Sequence, residues 1–77
     1  MNLDDHLAKV QLIDCSGRTT HRLTLLVNGR VEIRIGEARA VVDPRTRAVE
    51  PPSRRLGSGE YGHDQVLDIA CNLARGG

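Results

Sequence analysis

Asn28-Gly29 sits between a strand-like run, Arg22 to Val27, and a run in which apolar and polar residues alternate cleanly, Val31 to Ile35. Alternation of period two marks a half-buried strand, and Asn-Gly tolerates the positive φ of a tight turn, so the chain is expected to reverse here into an antiparallel pair. Which residues stay on one face then sets the register. A two-residue loop pairs Val27 with Arg30, Leu25 with Glu32 and Leu23 with Arg34, mixing apolar with charged groups. A three-residue loop pairs Val27 with Val31, Leu25 with Ile33 and Leu23 with Ile35, all apolar. Burial of one face favours the longer loop, or a bulge beside it, because a one-residue slip would expose the whole set.

Similar punctuation continues on both sides. A first strand is expected over residues 8–13, ended by the turn residues Asp14-Cys15-Ser16-Gly17-Arg18. Residues 3–7 could instead make one helical turn capped by Asn2. Gly36-Glu37 reads as a two-residue loop that brings Ala38, Ala40 and Val42 onto the apolar face. Asp43-Pro44-Arg45-Thr46 reads as a type I turn, followed by a short strand from Arg47 to Glu50 that Pro51-Pro52 ends. A helix is expected near residues 63–75. Val66, Leu67, Ile69, Ala70, Cys71, Leu73 and Ala74 cover an arc of about 200°, wider than the roughly 100° that covering a sheet requires. The surplus calls for the N-terminal segment, the 51–58 loop or a second subunit to cover it. The fold class is therefore α+β: one domain over 1–77, an antiparallel meander of four to five strands within about 8–50, a loop over 51–62, and one C-terminal helix on the apolar face.

Tyr61 is the sole aromatic residue among 77, so the core must be aliphatic and small, and help from a second copy of the chain is plausible. No apolar run approaches the ~20 residues of a membrane span, and Met1 to Lys9 holds no apolar stretch of a secretory signal. The expected location is the cytoplasm, without membrane contact. Eleven basic residues against ten acidic ones impose no polyanionic partner. Cys15 and Cys71 stand far apart with no ligand spacing, Cys71 as a core residue and Cys15 as an exposed thiol, and no metal or cofactor is expected.

On the expected register the polar sheet face shows Lys9, Gln11, Ile13, Arg22, Thr24, Leu26, Arg30, Glu32, Arg34, Arg39 and Val41. Apolar residues among arginines suit protein docking, which makes Ile13, Leu26, Val41, Arg22, Arg34 and Arg39 the partner-binding candidates. The expected function is a small non-enzymatic protein-binding module: a regulator, adaptor or inhibitor, with a homodimer as one form. The alternative is nucleic-acid binding with Arg22, Arg30, Arg34 and Arg39 as phosphate contacts, although these strands carry no aromatic on which bases could stack.

Gly57-Ser58-Gly59-Glu60-Tyr61-Gly62 matches G-x-G-x-x-G before a helix. No strand precedes it and too few residues follow for a returning parallel strand, which excludes a dinucleotide fold. A helix N-terminus flanked by cations remains, with Arg54, Arg55, Gly59, Gly62 and His63 as anion-binding candidates; the plainer reading is a flexible linker. Cys15 near His21 or His6 is the nearest approach to a nucleophile with a base, but no oxyanion motif accompanies it, so the three histidines read as polar surface residues and no enzyme is expected. The ending Leu73-Ala74-Arg75-Gly76-Gly77 resembles the Leu-Arg-Gly-Gly tail of ubiquitin-like modifiers over five residues. In that family the diglycine follows a strand and the helix lies between two hairpins. Here the strands come first and the glycines close a helix, an order that speaks against the β-grasp.

Overall fold

The computed structural model describes residues 6–76, so the helical turn considered for residues 3–7 lies largely outside them; His6 and Leu7 belong to a strand. Five strands follow in chain order: β1 His6–Ile13, β2 Thr19–Leu26, β3 Val31–Ile35, β4 Ala38–Asp43 and β5 Ala48–Glu50, then the helix α1, His63–Ala74. Every neighbour in the sheet is the next strand in sequence and every pairing is antiparallel, so the fold is an α+β meander with one C-terminal helix. Arg75 and Gly76 close α1 directly, with Gly76 at φ +87° and its N–H on Leu73 O at 3.1 Å.

The β2–β3 loop has three residues, but they are Val27-Asn28-Gly29, one position earlier than the apolar pairing suggests. Leu26 N donates to Arg30 O at 2.8 Å and Gly29 N to Leu26 O at 3.0 Å, with Gly29 at φ +90°. A three-residue hairpin places its left-handed residue last. Ending the loop at Gly29 gives that position to a glycine, whereas a loop over 28–30 would have put Arg30 there. Leu25 therefore faces Val31 and Leu23 faces Ile33, while Val27 is left 66% exposed. The displacement preserves parity, so the apolar face survives. Cys15-Ser16-Gly17 repeats the same geometry between β1 and β2, with Gly17 at φ +89°. There the Ser16 hydroxyl, and next the Arg18 amide, hold the exposed Asp14 carboxyl below its ordinary range.

Leu23, Val31, Ile33 and Val42 are wholly shielded on the inner face, and α1 crosses β2, β3 and β4 to cover them with Val66, Leu67, Ala70 and Cys71. Full burial of such side chains stabilises by roughly 1.5–3 kcal/mol each. Ile69, Leu73 and Ala74 are partly buried against the same core, so the wide apolar arc is used largely within one chain. The β4–β5 loop adds a tether. Arg47 adopts φ +62°, and its guanidinium reaches Asp68 Oδ1 on α1 at 2.7 Å, which favours its charged form.

The segment 51–62 is not a linker. Leu56 inserts into the core with no exposed surface. Its N–H donates to His63 Nδ1 at 3.1 Å, and His21 Nε2 donates to its carbonyl at 2.6 Å. His21 is thus wholly buried rather than a surface residue, with Nδ1 2.8 Å from the Thr20 hydroxyl. Its parity explains this, since it points inward with Leu23 and opposite Leu12. Ser58 and Tyr61 exchange backbone hydrogen bonds of 2.8 and 3.1 Å, and the Tyr61 hydroxyl donates to Ile13 O at 2.9 Å. Gly57 is glycine because the loop presses on the start of α1: a Cβ there would stand 3.0 Å from His63 N and 3.3 Å from Tyr61 O. Both neighbours are backbone, so Gly57→Ala is expected to lower stability by about 1–3 kcal/mol in urea titration.

Candidate functional site

The outer face of the sheet is built by the even-numbered residues of β2 and β3 and the odd-numbered ones of β1 and β4. Register lines up Gln11, Arg22, Arg34 and Arg39 in one row across four strands. The next row reads Lys9, Thr24, Glu32, Val41 and Glu50. Glu50 is an acid on this face that sequence reasoning did not place there, because the pairing of β5 decides its side.

Arg22 thus stands directly opposite Arg34, and Arg34 opposite Arg39. Like charges in facing positions are destabilising. Arg39 is relieved by Glu32, whose Oε2 lies 2.6 Å from its Nε. Arg22 and Arg34 have no carboxylate at ion-pair distance among the described residues, and both are exposed. They line a shallow groove of about 500 Å³ together with Lys9, Gln11, Thr24, Leu26 and the Arg39-bound Glu32. On their other side they border a smaller hollow of about 220 Å³ with Thr19 and Gly36. Two adjacent guanidiniums without an acid present forked donors that match a carboxylate or a phosphate.

Of the docking candidates, Leu26, Arg22 and Arg34 share this groove. Arg39 lies beside Arg34 but is held by Glu32, and Val41 is half-buried between Glu32 and Glu50. Ile13 is 49% exposed at the end of β1, outside the groove. The anion-binding candidates are arranged differently. Gly62 N–H points to Gln65 Oε1 at 3.4 Å, His63 Nδ1 accepts from Leu56, and Gly59 forms the tip of the Ser58–Tyr61 turn. Arg55 is exposed, and Arg54 is half-buried with its Nε shielded and without a hydrogen-bond partner. Loop closure and helix capping thus use several groups that an anion would need.

Cys15 is exposed and Cys71 buried, both as free thiols. The ring nitrogens of His21 go to Thr20 and Leu56, not to Cys15. Among the described residues no group of three His, Cys, Asp or Glu is placed to hold a metal ion. Comparison with protein-family models, with curated proteins and with solved structures finds no match.

Proposed function

We propose that the protein is a small non-enzymatic binding module, a regulator, adaptor or inhibitor, that docks on another protein through the outer face of its sheet. The observation that carries this reading is the groove that Leu26 shares with two guanidiniums that have no acids of their own among the described residues. An apolar contact beside forked cationic donors is the composition of a protein-docking patch, where arginine is enriched. The antiparallel strands beneath hold these side chains at fixed spacing. A homodimer draws no support from α1, whose apolar arc is used largely inside the chain, but β1 is an edge strand of the sheet among the described residues. No helix among the described residues is long and apolar enough to cross a membrane. Two free thiols suit a reducing compartment, so the cytoplasm is the proposed place of action.

Capture from nuclease-treated lysate tests the reading. The tagged protein is expected to retain a stoichiometric protein partner, and Leu26→Asp to reduce it by about tenfold or more, equivalent to about 1.4 kcal/mol. Capture that disappears with nuclease, or that ignores Leu26→Asp in a variant shown to melt normally, overturns it.

The row Arg22, Arg34 and Arg39 favours a second reading, contact with a nucleic-acid backbone. It requires affinity to fall by orders of magnitude between about 50 and 200 mM salt.

A further inference from the structure

We infer that the groove receives an acidic segment of a partner protein, whose carboxylates pair with Arg22 and Arg34 while an apolar side chain about 13 Å further along packs on Leu26; this rests on the docking reading above. Position sets the distance: Arg22 and Leu26 are four residues apart on β2, at about 3.3 Å per residue. Charge sets the chemistry. Arg22 and Arg34 face each other across the ladder with neither neutralised by an acid among the described residues, while Glu32 is already held by Arg39. An incoming carboxylate pair converts a repulsive contact into charge-assisted hydrogen bonds. Gln11 and Thr24, which line the same groove, offer neutral hydrogen-bonding groups.

A polyanionic backbone fits less well. Running along the strands it would leave the arginine row and meet Glu32 within two residues, about 7 Å away. Running across them it would find three guanidiniums and then no paired residue of β5, whose Glu50 lies in the neighbouring row opposite Val41. The strands of this face bear no aromatic residue on which a base could stack. Short, locally acidic and partly apolar describes the occupant.

The test is an NMR titration of the full-length protein, following the Arg Nε–H signals and the leucine methyls. The probe is the capped hexapeptide Glu-Glu-Ser-Thr-Ser-Leu, with Gln-Gln-Ser-Thr-Ser-Leu as its uncharged counterpart. Inorganic phosphate and a short DNA duplex are the other arms. The glutamate peptide is expected to shift Arg22, Arg34 and Leu26 saturably in the millimolar range, about tenfold more tightly than the glutamine peptide. Arg22→Gln with Arg34→Gln should erase that advantage while leaving the amide spectrum dispersed. No saturable shift at about 10 mM, equal binding of the glutamine peptide, or tighter binding of the duplex overturns the inference. If the peptide fails but Leu26→Asp still empties the nuclease-treated capture, the acidic partner falls and the docking face stands. If both fail, both readings fall.

Discussion

Leu56→Ala is expected to cost about 2–5 kcal/mol, the range for truncating a buried leucine that leaves a cavity behind. Leu56 has no exposed surface and belongs to the cluster that includes Leu23, Ile33 and Val66. A 77-residue domain has only about 4–12 kcal/mol in total. One side chain from an irregular loop therefore carries a large fraction of the stability. Its backbone adds to this, since His21 and His63 bind its carbonyl and amide from opposite directions. His21→Leu would leave the buried Leu56 carbonyl without its donor, for about 1–3 kcal/mol. His21→Gln, whose amide nitrogen can take the place of Nε2, should recover part of that. Urea titration with an unchanged m value checks all three. A Leu56→Ala change below about 1 kcal/mol would mean that the 51–62 segment lies outside the cooperative unit.

The same residue shows where the sequence stops being readable. The meander was legible because period-two alternation and turn residues are local signals, each sufficient to place its own strand. The exact loop at Val27-Asn28-Gly29 was legible only to parity, since apolar pairing scores a shift by two residues almost equally; the left-handed glycine decided between them. Leu56 stands isolated between Arg55 and Gly57, with no periodicity to announce burial, and only the return of the chain onto the sheet reveals it. His21 carried a usable signal, its parity with Leu23, which its polarity obscured. On the outer face, alternation alone assigned Arg22, Leu26, Arg34 and Arg39 to one side. Which arginine is neutralised depends on the diagonal contact of Glu32 with Arg39, a geometric fact that no spacing rule contains.

Arg34→Glu separates folding from docking at that row. Position 34 faces Arg22 on one side and Arg39 on the other, so a carboxylate there replaces two like-charge pairs by two opposite-charge pairs. Facing pairs of this kind contribute roughly 0.2–1 kcal/mol each. Arg34 is exposed and packs no core, so the variant should be as stable as the parent or up to about 1 kcal/mol more stable. Docking should respond in the opposite sense. The change removes a charged hydrogen-bond donor, for about 1.5–3 kcal/mol, and sets a like charge against an acidic partner. That corresponds to a loss of at least about tenfold to a hundredfold in affinity. Arg34→Gln, which removes the donor without adding repulsion, should fall between the two. Matched urea titrations and binding isotherms on the three proteins measure both quantities. A surface selected only for stability would not keep three arginines abreast when one reversal improves the sheet. Gain of stability with loss of binding is therefore the pattern expected of a functional row. If Arg34→Glu instead destabilises by more than about 1 kcal/mol, the guanidinium supports the fold, and the case for a docking role at this position is withdrawn.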